Sequence, residues 1–581
     1  MSSLPHPLLT QHFDNKEIAF TKIDEEIAAL RESTRALLAF RNTYTVTYRL
    51  PPEVLTRILS FVRHVPRREV YYGNLKPLQW ITVTHVSQHW RNVAVGSPGL
   101  WTCISSSYRK AVVEEWLRRS KDAALLIDWY GTPLLDPQFV STSLSRIRDL
   151  TLDVTVSAWN ALVPHLTSPA PLLEFLRIRA GDISPGYSST SPIPGSIFAG
   201  MTPCLQRLEL RGGTFDINSS LFTDLTSLEL WNPVQKFTAT NLLNALHNLP
   251  GLTSLTLLDV LQQGAILASP NPDVVTLSSL KSLSTKGGSF NQDLDFLSHL
   301  SFPANSTLSF QSRTETGDAV TALSHFFAVN KAVRQPSSVV VVDCVDLRYI
   351  WHMLRFYANV GCTKPGVVVD LLKFELRGPW DDVPEMPDTP EVATLFSYLP
   401  LATLTSFQTN CHLSIGTWTN SFGVLPELTR ITVLGDRAVN ILSAIVDDFK
   451  TRCPPGYGEE RMAASLGRLV WDPIFPKLAQ VDLDGTDFPE STQDLVTALR
   501  ARKEVERGIK TMEVTQCRNV DDGLLAALEG IVNVEWDSWM GSDEDEEDEE
   551  DEDDDQDDED DPYDNYEATE EDIFGELPDG W

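Results

Sequence analysis

The stretch Leu50-Pro51-Pro52-Glu53-Val54-Leu55, continued by Ile58-Leu59-Ser60-Phe61-Val62, reads as a helix from its first turn onward. Pro51 and Pro52 suit a helix start, where a missing N–H costs nothing and φ is already set. Glu53 in the first turn complements the helix dipole. Val54, Leu55, Ile58, Leu59 and Val62 then recur at helical spacing. A second helix reads from Ile81 to Val95, with Val83, Val86, Trp90 and Val93 to one side, and Pro98-Gly99 stops it before Leu100-Trp101. His85 and His89 lie four apart on it. A metal would need a third ligand and supporting partners, so they read as a half-buried polar edge.

Leu50-Pro51-Pro52-Glu53, then Leu55, Ile58 and Leu59, then Val86-Ser87-Gln88-His89-Trp90-Arg91, then Ser97-Pro98-Gly99-Leu100-Trp101, resembles an F-box of the mushroom-type fungal kind. The resemblance covers about 50 residues. It implies a small three-helix module that docks on the Skp-type linker of a cullin-based ubiquitin ligase. By that resemblance Leu50, Pro51, Glu53, Leu55, Ile58, Leu59, Val86 and Trp90 would contact the linker. Leu50, Pro51, Leu55, Ile58 and Val86 would form an exposed apolar patch. The segment Arg63 to Pro77 is longer and more basic than the family's usual turn.

Before it, Lys16 to Phe40 reads as an amphipathic helix with Ile23, Ile27, Leu30, Leu37 and Leu38 on one face. Two readings stay open: a short coiled coil, interrupted at Thr34, that dimerises, or a helix packed on its own F-box. After it comes a repeat. Ile147-Arg148-Asp149-Leu150-Thr151-Leu152 has the form LxxLxL, and the form returns at Leu173–Ile178, Leu205–Leu210, Leu225–Leu230 and Leu252–Leu257. It recurs at Leu371–Leu376, Leu428–Val433, Leu478–Leu483 and Ile509–Val514, with degraded copies near Leu280–Thr285, Thr307–Phe310, Val339–Cys344 and Leu404–Thr409. The mean step is about 30 residues, slightly long for leucine-rich repeats. Alternation in Leu-x-Leu puts leucines on one strand face and the intervening residues on the other. Helical segments lie between copies at Thr240–Leu249, Asp318–Phe327, Ala438–Phe449 and Thr492–Arg502.

The expected fold class is therefore α/β: a short α-helical F-box module, an irregular leucine-rich-repeat-like solenoid, and a disordered acidic tail. The boundaries are 16–46 for the first helix, 47–105 for the F-box-like domain, 106–536 for the solenoid and 537–581 for the tail. Ile183 to Pro203, rich in Ser, Pro and Gly, reads as a surface loop, as does the segment around Arg452 to Gly458. Gly212-Gly213 and Gly287-Gly288 follow strands but lack the Gly-Lys-Ser/Thr of a phosphate loop, and read as repeat turns.

The 581 residues carry a net charge of −34. From Asp537 onward stand 26 of the 81 acidic residues and no Lys or Arg; the other 55 face 47 basic residues, a balance of −8. Asp543 to Asp561 is acidic except at Gln556, a run that repels itself and buries nothing. Neither part has the basic footprint of a nucleic-acid binder. The 7 cysteines form no CxxC pair and fit reduced thiols. Met1 to Phe13 shows no signal sequence, and no apolar run reaches the ~18 residues of a membrane helix. The sequons at Asn218 and Asn305 read as chance. The expected compartment is cytoplasmic or nuclear.

No signature orders Ser, His and Asp into a triad, and the acidic run lacks the glycine turn of a calcium loop. The chain reads as a non-enzyme without cofactor or metal. The resemblance implies a substrate adaptor whose partners are a Skp-type linker with its cullin complex and an unknown protein substrate, with no nucleic acid and no membrane. A leucine-rich interaction scaffold and an acidic-tail chaperone of basic proteins are the alternatives. Substrate contact is expected on the strand face, where Arg177, Arg179, Glu209, Arg211, Glu229, Trp231, Glu375, Arg377, Asp482 and Asp484 alternate with the leucines. The residues singled out are Arg179, Arg211, Trp231 and Arg377, because an exposed Trp on a strand calls for a cover.

Overall fold

The computed structural model describes residues 16–63, 79–131, 137–180, 192–262, 274–313, 325–335, 344–350, 353–360, 369–377, 401–435, 439–453, 471–488 and 492–537, apart from single positions within them. The basic insertion at 64–78, the loop at 454–470, most of the expected helix at 318–327 and the acidic segment from 541 lie outside the described residues. Two compact units emerge, the first running to Asp128 with Arg146–Arg148 joining it, the second beginning at Trp129.

The first unit is helical with a small strand pair. Helix α1 spans Lys16–Asn42. Helix α2, Pro52–Arg63, buries Leu55 and Leu59. A 3-10 segment, Gln79–His85, leads to α3, Gln88–Gly96. Ser87 caps α3 by accepting a hydrogen bond from the Trp90 N–H, a contact worth about 1 kcal/mol. Pro98–Trp101 forms a closing 3-10 turn, and α4, Lys110–Ser120, follows. Strands β1, Cys103–Ser105, and β2, Leu125–Gly131, pair in parallel. Trp101 is the centre of this unit. It is fully buried, its ring lies 5.1 Å from Trp80 and 4.8 Å from Trp116, and its Nε1–H donates to the Ala94 carbonyl at 2.8 Å. The Arg119 guanidinium covers the ring at 4.3 Å. Trp116 and Arg119 come from α4, so the unit extends past residue 105, the boundary expected from the motif.

The second unit is a long sheet. Its strands are β3 (Ile147–Val154), β4 (Phe175–Ala180), β5 (Arg207–Arg211), β6 (Ser227–Trp231), β7 (Ser254–Leu258), β8 (Ser282–Ser289) and β9 (Thr307–Arg313). Then come β10 (Cys344–Ile350), β11 (Met353–Val360), β12 (Val369–Arg377), β13 (Ser406–Thr409), β14 (Arg430–Leu434), β15 (Gln480–Asp484), β16 (Thr511–Thr515) and β17 (Asn533–Trp536). From β3 to β9 each strand pairs in parallel with the next, as do β13 to β17. The burial pattern is the one Leu-x-Leu dictates. Leu208 and Leu210, Leu228 and Leu230, and Leu255 and Leu257 are buried, while the residues between them are half-buried on the other face. In several copies the first leucine, as at Leu173, Leu225, Leu252 and Leu428, is buried just ahead of its strand.

Helices cover the leucine side. Helix α5 is Val156–Leu162, and α6, Ala239–His247, is capped by Thr238 and buries Leu242, Leu243 and Leu246. Each such leucine contributes about 1.5–3 kcal/mol when fully buried. Helices α7 (Phe290–Ser298), α8 (Val439–Arg452), α9 (Thr492–Glu504) and α10 (Asp522–Leu528) continue the alternation. The coarse α/β class with a parallel sheet is thus observed.

Two expectations are corrected here. The copy at Val339–Cys344 lies outside the described residues except for Cys344, and those at Leu371–Leu376 and Leu404–Thr409 are not neighbours in the sheet. Strand β9 pairs with β12, β12 runs antiparallel to β11, β11 antiparallel to β10, and β10 pairs in parallel with β13. The sheet therefore carries one reversed strand, β11, in its middle. The second correction concerns 183–203. Ile193, Ile197 and Phe198 are buried, so the described part of that stretch belongs to the core, not to a surface loop. Phe198 and Ala199 take left-handed backbone to turn inward, a conformation costing non-glycine residues about 1 kcal/mol or more. Gly212 and Gly213 do act as a turn: both have positive φ, and the Gly212 N–H donates to the Trp231 carbonyl at 2.8 Å.

Asp293 on α7 is buried and accepts a hydrogen bond from the Ser312 hydroxyl. Burial raises its pKa to about 6. The folded chain therefore holds this proton more tightly than the unfolded chain. The stability this gives is complete below about pH 4 and is lost as pH rises through about 6. Asp293→Asn is expected to raise the second unit's unfolding midpoint at pH 7. The stability difference between variant and parent should shrink as pH falls from 7 to 4. Urea unfolding at several pH values checks this, and a difference that grows on acidification contradicts it.

Candidate functional site

Two surfaces emerge from the residues that the sequence marks. The first lies on α2. Among the residues expected at the linker, Leu50 and Trp90 are half-buried, and Pro51, Glu53, Ile58 and Val86 are exposed. Leu55, expected in the exposed patch, and Leu59, expected among the linker contacts, are fully buried, which is a correction. They turn inward because positions four apart share one helix face. The adjoining side of α2 is also apolar. Val54, Ile58, Phe61 and Val62 are exposed, Phe61 at 69%. Val54, Phe61 and Val62 were missed as contact candidates, although Phe61 and Val62 lie seven and eight residues from Val54 and mark a second stripe.

Packing fixes the inner side of α2. The Thr56 and Ser97 hydroxyls share a hydrogen bond at 2.8 Å. Arg63 donates to the Leu100 carbonyl at 3.4 Å and to the Thr102 hydroxyl at 3.1 Å. The His89 ring lies 4.7 Å from Tyr48 at a 45° tilt, and His85 is exposed. Among the described residues no group of three or more His, Cys, Asp or Glu is arranged to hold a metal ion.

The second surface is the strand face opposite the leucines. Asp153, Arg179, Arg211 and Trp231 follow one another across β3 to β6 in register. Arg177 pairs with Glu209, Arg179 with Asp153 at 3.3 Å, and Arg211 reaches Glu209 at 3.8 Å. The Arg211 guanidinium sits 4.0 Å from the Trp231 ring centroid. Trp231 is half-buried rather than bare, and its cover is this neighbouring arginine. Burial, with Glu209 alongside, holds the Glu229 carboxyl above its ordinary range. Arg377 is described by its backbone alone; β12 places it opposite Arg313 of β9, away from Trp231 in the ladder. The four residues singled out thus divide: Arg179, Arg211 and Trp231 stand together, and Arg377 stands apart.

At the far end, Asp482 is buried and accepts from Arg430 at 2.7 Å, Thr432 at 2.9 Å and Gln480 at 2.9 Å, while Asp484 is half-buried. Between these charged ends runs a row that leucine reading did not single out. Ser227, Ser254, Ser282 and Thr307 are in register and half-buried, with Thr256, Ser284 and Ser309 in the row beside them. These uncharged hydroxyls can donate and accept hydrogen bonds without bringing a net charge.

Among the described residues no helix is long and apolar enough to cross a membrane. No protein-family model matches the chain, and no curated protein matches it in sequence.

Proposed function

We propose that the chain is the substrate-recognition adaptor of a Skp–cullin–F-box ubiquitin ligase. The first unit would hold the Skp-type linker and the second, read as a leucine-rich-repeat-like solenoid, a protein substrate. The observation that carries the proposal is the two-sided α2. One apolar face closes the unit's core, and the other, Val54, Ile58, Phe61 and Val62, is left bare. Exposed apolar clusters of this kind mark interfaces. The resemblance carried by Leu50-Pro51-Pro52-Glu53, just ahead of these residues, supports a Skp-type linker as the occupant. The hydroxyl rows and the Arg211–Trp231 stack supply the polar and aromatic groups that a bound peptide chain needs.

Affinity purification of the full chain from its native cells tests the reading. The parent is expected to bring down a Skp-type linker and a cullin. An Ile58→Asp, Phe61→Asp variant is expected to lose both with an unchanged melting temperature, since both side chains face solvent. Recovery of neither protein by the parent would favour the scaffold reading.

A further inference from the structure

Helix α1 is 27 residues long and buries none of its side chains. At 1.5 Å per residue it is roughly 40 Å long. Phe20, Ile23, Ile27, Leu30 and Leu37 are exposed, Leu30 at 50% and Leu37 at 70%. The expectation that α1 packs on its own module therefore fails. A helix in water is stabilised mainly by packing of its apolar face, and this face has no cover within the chain's described residues.

Phe20, Ile23, Ile27, Leu30, Thr34 and Leu37 are spaced alternately three and four apart. That is a heptad seam, with Phe20, Ile27 and Thr34 at a positions and Ile23, Leu30 and Leu37 at d. A β-branched residue at a with leucine at d favours two parallel strands, and a polar a residue such as Thr34 sets register at some cost in stability. Glu26 precedes an a position and Arg31 follows a d position, five residues on. In a parallel pair these two positions face each other across the seam. Each Glu26 would then meet Arg31 of the other helix, twice by symmetry.

We propose that α1 pairs in parallel with α1 of a second copy of this chain. The seam is self-complementary in both apolar spacing and charge, which is what a two-fold interface between identical subunits requires. A lipid surface fits less well, because the helix carries as many acidic as basic residues, whereas interfacial helices are rich in Lys and Arg. The inference rests on α1 alone and stands whether or not the ubiquitin-ligase reading does.

Sedimentation equilibrium of the purified full chain at micromolar concentration tests it. The expected mass is twice 64.9 kDa for the parent. It should fall to 64.9 kDa for an Ile27→Asp, Leu30→Asp variant whose second unit keeps the parent's melting temperature. Glu26→Arg should weaken association several-fold, and adding Arg31→Glu should restore it. A monomeric parent at tens of micromolar overturns the proposal, as does a seam variant that stays dimeric. A charge swap that fails to restore association overturns the parallel register.

Discussion

Replacing Trp101 with alanine is expected to lower the stability of the first unit by about 3–5 kcal/mol, the range for removing a large buried aromatic side chain. Three neighbours lose their packing at once: the Trp80 and Trp116 rings and the Arg119 guanidinium. The Ala94 carbonyl also loses the indole N–H that it accepts, which adds a desolvated acceptor to the cavity. Trp101→Phe keeps most of the volume and gives up the hydrogen bond, so its cost should be about 1–2 kcal/mol. Urea denaturation followed by far-UV dichroism separates the two variants. A cost below about 1 kcal/mol for the alanine variant would mean that α4 and the α2–α3 pair are not held together through this ring.

The second large effect lies at the other end of the chain. Arg502 on α9 is fully buried and donates to the Ile474 carbonyl at 2.6 Å and the Phe475 carbonyl at 2.9 Å. Those carbonyls belong to a turn that Phe475 makes with positive φ. Asp448, itself buried, provides the countercharge, and its carboxylate also pairs with Arg452 at 2.9 Å. Burial lowers the Arg502 pKa to about 10, which still leaves it charged at neutral pH. Arg502→Leu would strand two acceptors and remove one cation from a buried carboxylate, so a loss of about 3–5 kcal/mol is expected. Arg502→Lys can reach one carbonyl but not both, because its ammonium lacks the planar fork, and should fall between. A leucine variant as stable as the parent would show that the turn is held by its flanking apolar residues Ile474 and Phe475 instead.

What was legible in the chain follows from periodicity. The strands begin two residues into almost every LxxLxL copy, because the first leucine plugs the core ahead of the strand and the last two alternate into it. Helix α6 was legible from Thr240 onward for the same reason, with Thr238 supplying its cap. The reversed strand β11 was not read, since a repeat template looks for copies that run the same way. The pairings of β9 with β12 and of β10 with β13 join residues far apart in the chain, which the local pattern does not record. Ile197 and Phe198 were hidden by the Ser, Pro and Gly around them, although two large apolar residues in such a stretch are a reason to look for burial. On α2, apolar residues fall on both helix faces. Periodicity finds the stripe but does not say which side is covered, and the resemblance put Leu55 in the exposed patch and Leu59 among the linker contacts. For Trp231, the sequence separates the indole from Arg211 by twenty positions, and only the register of β5 on β6 brings them together.

The central claim is that the bare face of α2 is a docking surface for one kind of protein. The direct measurement is calorimetric titration of a purified Skp-type linker into the purified full chain, for the parent and for the Ile58→Asp, Phe61→Asp variant. The account predicts one linker bound per chain by the parent and at least about a hundredfold weaker binding by a variant with the parent's melting temperature, a loss of about 2.7 kcal/mol. Equal binding by parent and variant, or no binding by the parent, would contradict it.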